Sequence, residues 1–78
     1  MLKKKYERPI NLYAEVKNTI LDFDSKFTLR DIILALQEKK IMTEANKNET
    51  MEIVNEVLEM SIVQRVSLSD QFYVLGSN

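Results

Sequence analysis

The side chains in this chain that could do chemistry are few and mostly of one kind. Glu49, Glu52, Glu56 and Glu59 recur at spacings of three and four, which on a helix gathers them along one side. Carboxylates in such a row suggest a hard cation. A Ca²⁺ site, however, needs oxygen ligands converging from a loop or from several elements, so a solvated helix face is the plainer reading. The nucleophile-type residues are Ser, Thr and Tyr, and no histidine is present to act as their base. With neither histidine nor cysteine, His-based acid–base catalysis, thiol chemistry, disulfides and His- or Cys-ligated zinc are all excluded. One glycine rules out a glycine-rich phosphate loop. The expectation is a protein that is not an enzyme and uses neither cofactor nor metal.

What remains is recognition, and charge constrains it. The 78 residues carry 11 basic and 12 acidic side chains, a net of −1. Residues 1–40 hold nine Lys/Arg against six Asp/Glu, a net of +3, while residues 41–78 hold two against six, a net of −4. That split sets a basic first half against an acidic second half. At this length a single domain with one small core is expected. No apolar run reaches the roughly 18 residues needed to span a bilayer, so a cytoplasmic, membrane-free setting is expected.

The elements that must position these groups are legible from periodicity. Residues 1–9, with Lys3, Lys4, Lys5 and Arg8 ahead of Pro9, read as a basic arm that is either phosphate-seeking or simply solvated. A first helix is expected to open after Asn11 and run to about Phe23, with Leu12, Tyr13, Val16, Ile20 and Phe23 on its core stripe. Thr28 and Asp31 form a capping-box start for a second helix, whose buried residues Leu29, Ile32, Ile33 and Leu36 lie at i, i+3, i+4 and i+7 and which closes near Lys39–Lys40. Ile41 to Ala45 reads as a turn. Asn46 with Glu49 is the preferred cap of a third helix, Thr43 being an earlier alternative. Met51, Val54, Val57 and Leu58 line its inner face, and it stops near Met60–Ser61. From Ile62 the period becomes alternating: Ile62, Val63, Val66 and Leu68 lead to a turn at Ser69–Asp70, and Phe72 to Leu75 return, the aromatics anchoring the strand to the helices.

Three segments together carry a family resemblance. They are Phe27–Thr28–Leu29–Arg30–Asp31–Ile32–Ile33, a later helix closing through Val57–Leu58–Glu59–Met60, and Ser61–Ile62–Val63–Gln64–Arg65 running into Phe72–Tyr73–Val74–Leu75. This order resembles the winged helix-turn-helix pattern of small bacterial regulators. It implies an α+β, mainly α fold: three helices with a C-terminal β-hairpin wing over residues 10–76, and a tail at 77–78. It further implies a DNA-binding regulator, cytoplasmic and dimeric, with the third helix in the major groove. On that reading Lys39, Lys40, Lys47 and Arg65 reach phosphates, while Asn48, Thr50 and Asn55 reach base edges. The alternative is a module without DNA binding that docks a protein through the acidic third helix and through Leu21, Leu34, Ile53 and Met60, which fall off the buried stripes. Those apolar residues equally suit a homodimer seam or the margin of a small core.

Overall fold

The computed structural model describes residues 3–76, with the backbone alone for residues 3–11. Helix α1 spans Lys3–Leu21, strand β1 Phe27–Thr28, α2 Leu29–Glu38, α3 Lys47–Leu58, β2 Val63–Arg65 and β3 Gln71–Val74. The chain is thus α+β and mainly helical, with three helices and a small antiparallel sheet in the order β1-β3-β2. That layout is compatible with the winged-helix expectation.

Helix α1 does not wait for Asn11. Its backbone is helical from Lys3 and passes through Pro9, which has no N–H to offer the Lys5 carbonyl. Lysine, glutamate and arginine around it favour helix, and among the described side chains the buried stripe begins at Leu12. Asn11 therefore lies inside the helix and not at its start. Residues 1–2 of the expected arm and the tail at 77–78 lie outside the described residues. Leu12, Val16, Thr19 and Ile20 make the buried stripe, and Tyr13, expected on it, is exposed. The polar Thr19 is tolerated there because its hydroxyl donates to the Glu15 carbonyl at 2.7 Å, one turn back.

Helix α2 starts as read from sequence. Thr28 Oγ1 accepts from the Asp31 N–H at 3.2 Å, and Asp31 Oδ2 accepts from the Thr28 N–H at 2.9 Å, which satisfies two of the donors a helix start leaves free. Its other end closes through Lys40 at φ +62°, with Lys40 N–H donating to Gln37 O at 3.0 Å and Ile41 N–H to Leu36 O at 2.9 Å. This is the Schellman pattern, with lysine where glycine is usual. Ile32 and Leu36 are fully buried and Ile33 half-buried, while Leu29, expected on the same stripe, stands at the first position of the helix and is exposed.

The start of α3 departs from expectation. Asn46 flanks the helix, but its side chain caps nothing in α3; it turns back, accepting from the Thr43 N–H at 2.8 Å and donating to the Ile41 carbonyl at 2.9 Å. Thr43 Oγ1 in turn accepts from the Asn46 N–H at 3.3 Å. The reciprocal box thus joins Thr43 to Asn46, not Asn46 to Glu49, and it winds a preliminary turn before α3. Helix α3 is also rotated. Its fully buried residues are Thr50, Val54 and Val57, with Met51, Ile53 and Leu58 half-buried on the flanks. At 100° per residue that is a turn of about 65° from a face centred on Met51, Val54 and Leu58. Three small β-branched side chains make a shallow seam, and the longer Met51 and Leu58 fit only beside it.

The sheet is fastened by aromatic rings. Phe23 stacks on Phe27 with centroids 4.6 Å apart, and Phe27 faces Phe72 at 6.0 Å. Phe27 pairs with Phe72 across β1 and β3, and Val63 with Val74 across β2 and β3, so these four apolar residues share the core side of the sheet, with the exposed Arg65 paired to Phe72 at the β2 edge. The hairpin turn is longer than Ser69–Asp70. Val66 N–H donates to Gln71 O at 2.8 Å and Ser69 N–H to Val66 O at 3.2 Å, leaving Leu68, expected in a strand, at the tip with φ +59°.

Candidate recognition surfaces

The outward side of α3 is open to solvent. With Thr50, Val54 and Val57 buried, Asn48, Glu49, Glu52, Asn55, Glu56 and Glu59 are all exposed. The glutamate row read from sequence does face solvent. At the head of the helix Lys47 is exposed too, a cation at the positive end of the helix dipole, where it gains nothing.

The other expected DNA contacts do not converge on this side. Thr50 is wholly buried, and its Oγ1 has no hydrogen-bond partner, so it cannot reach a base edge. A threonine counted as polar in the sequence is here the centre of the packed seam. Lys39 and Lys40 are exposed at the end of α2, but Lys39 Nζ donates to Thr19 Oγ1 at 3.4 Å, which holds it toward α1. Lys40 borders a groove of about 330 Å³ between α1 and the α2–α3 turn, where Glu15 and Glu49 are also walls. Both signs of charge line that groove. Arg65 is exposed in the hairpin, with Nε–H donating to the Ser69 carbonyl at 2.9 Å. Of the residues expected to touch DNA, only Lys47, Asn48 and Asn55 are brought onto exposed positions of α3.

The apolar residues offered as a partner surface separate as well. Leu21, Ile53 and Met60 pack against the core as its margin, and Leu34 alone among the four is exposed, at 53%. The exposed apolar side chains that sequence reading missed are Tyr13 and Leu29 on the helices and, in the hairpin and its ends, Ile62, Leu68, Tyr73 and Leu75. Strand alternation was the usable signal, since placing Phe72 and Val74 inward turns Tyr73 and Leu75 outward. Tyr73 is therefore the outward ring, and Phe72 the one packed against the core.

No protein family, curated protein or solved structure matches the chain at a level that counts as similarity. Among the described residues no helix is long and apolar enough to cross a membrane. Nor, among them, does any group of His, Cys, Asp or Glu side chains come together to hold a metal ion.

Proposed function

We propose that this chain is a winged helix-turn-helix module whose third helix serves a protein partner with a basic surface, and that it does not read a DNA groove. The helix–strand–helix–helix–hairpin order and the β1-β3-β2 sheet support the fold half of this reading. The observation that carries the functional half is the exposure of Glu49, Glu52, Glu56 and Glu59 along the side of α3 that would enter the groove.

Magnitudes decide between the two uses. A carboxylate about 5 Å from a phosphate is repelled by about 1 kcal/mol in bulk water and about 3 kcal/mol at an effective dielectric constant of 20. Four of them amount to roughly 4 to 12 kcal/mol. Non-specific DNA binding is worth only about 5.5 to 8 kcal/mol at physiological salt, and it comes from phosphates neutralised by Lys and Arg. Lys47 is the only cation within α3. The same carboxylates gain from a basic protein surface.

A second reading, a DNA-binding regulator, draws support from one observation: Lys39, Lys40 and Lys47 are exposed around the helical turn, with Asn48 and Asn55 outward on α3. Titrating a random-sequence duplex at low and moderate salt separates the two. The proposal expects no retention even at low salt, whereas micromolar binding that falls steeply with salt overturns it in favour of the regulator.

A further inference from the structure

The groove between α1 and the α2–α3 turn does not end at Lys40. A second depression, also of about 330 Å³, shares Glu15, Lys40 and Ile41 with it, so the two adjoin as one trough. The first part continues past Leu12 to Thr43 and Glu49, and the second past Asn18 to Lys39. Each part lies at the low end of the volumes, about 300 to 1,000 Å³, that small molecules occupy.

The frame of the trough is fixed and its charges are free. Thr43 and Asn46 hold each other through bonds of 2.8 and 3.3 Å, and Asn46 Nδ2 donates to the Ile41 carbonyl at 2.9 Å, which ties down the wall on the α2–α3 side. Lys39 Nζ is turned to Thr19 Oγ1. Among the described residues no hydrogen bond engages the carboxylates of Glu15 and Glu49 or the ammonium of Lys40. Lys40 stands out for a second reason. It sits at φ +62°, where glycine is the ordinary residue, and a glycine there would bring no charge to the trough.

The balance of charge states what fits. Two carboxylates and two ammonium groups line the trough, so it favours neither a plain anion nor a plain cation. The signs are sorted: Glu49 borders only the first part and Lys39 only the second, with Glu15 and Lys40 at the junction. Leu12 and Ile41 add apolar surface beside them. A matching molecule carries one ammonium, one carboxylate and an aliphatic body. We propose that the trough binds a free aliphatic α-amino acid, its ammonium held by Glu15 and Glu49, its carboxylate by Lys40, and its side chain laid on Leu12 and Ile41.

Titration of the full chain with L-leucine to about 50 mM at constant ionic strength, followed by backbone amide resonances, tests this, since a ligand of about nine non-hydrogen atoms binds in the millimolar range. Saturable shifts are expected at Glu15, Ile41, Thr43 and Asn46. L-Leucine amide, which lacks the carboxylate, and 4-methylpentanoate, which lacks the ammonium, are expected to bind at least tenfold more weakly. Lys40→Gly removes the ammonium and gives the positive φ its preferred residue, so stability in urea holds or rises while the dissociation constant for leucine increases at least tenfold. Lost folding cannot imitate that pair of results. Glu15→Gln weakens binding likewise, whereas Lys26→Gln, beside a different depression, leaves it unchanged. The proposal is overturned by the absence of saturable shifts, by an equal response to the three compounds, by shifts centred away from the trough, or by a Lys40→Gly protein that binds leucine as the wild type does. The duplex titration that tests the α3 reading uses neither leucine nor these variants, so the two readings fail separately.

Discussion

The outward side of α3 and the outer face of the hairpin are both solvent-facing, and they are built on opposite principles. The helix presents Asn48, Glu49, Glu52, Asn55, Glu56 and Glu59, polar throughout and acidic at four positions, whereas the hairpin presents Ile62, Tyr73 and Leu75 with glutamines between. In the winged-helix regulators that the sequence resembles, the helix is expected to meet the polyanion, and the wing to assist. Here the helix carries the charge that repels DNA and the hairpin carries the apolar surface. The chemistry of each surface bears on what it meets more directly than its place in the fold does.

The comparison breaks most sharply if the hairpin is not held where the aromatic column puts it. Phe27, buried between Phe23 and Phe72, is the residue on which the sheet rests. Phe27→Ala is expected to cost about 3 to 5 kcal/mol of unfolding free energy in urea titration. A loss under about 1 kcal/mol means that the sheet is fastened elsewhere. The α3 side is next tested from its buried edge. Thr50→Val removes a buried hydroxyl without a partner at nearly constant shape and is expected to stabilise the fold by about 1 kcal/mol. A destabilised valine variant means that the hydroxyl has a hydrogen-bond partner.

Leu68 sharpens the hairpin side. It stands wholly in solvent at φ +59°, a conformation that costs a branched side chain about 1 to 2 kcal/mol relative to glycine. Part of that is cancelled by the extra freedom of glycine in the unfolded chain, so Leu68→Gly is expected to raise stability by roughly 0.5 kcal/mol in the same titration. The smallest effect belongs to the acidic row. Glu52→Lys combined with Glu56→Lys is expected to shift stability by no more than about 0.5 kcal/mol, because both side chains lie free on the surface. A large loss there shows that the row is structural.

How much of this was readable before the structure depended on whether the deciding interaction was local. The Thr28–Asp31 box, the Ile32 and Leu36 stripe and the outward glutamates follow from contacts within one or two turns, and the sequence states them plainly. The hairpin followed from alternation, but both Phe72 and Tyr73 were expected to anchor it and only Phe72 faces inward. What escaped was decided by tertiary packing or by equivocal residues. Thr50 reads as polar, yet its size and branching suit a tight seam between helices. Thr43 and Asn46 are each competent caps, and the choice rests on the Ile41 carbonyl, which supplies Asn46 with a second bond. Leu68 fits an alternating strand pattern, and only the bonds of Val66 and Ser69 place it in the turn. The lysines expected to form one positive surface were adjacent in sequence, but Lys39 is drawn to α1 and Lys40 borders a groove it shares with Glu15 and Glu49.

The central claim, that α3 does not enter a DNA groove, is tested most directly by following backbone amide resonances while a 20-base-pair duplex is added at low salt. The account predicts that the amides from Asn48 to Glu59 do not move. Graded shifts along Asn48, Glu52 and Asn55 that vanish at higher salt would contradict it.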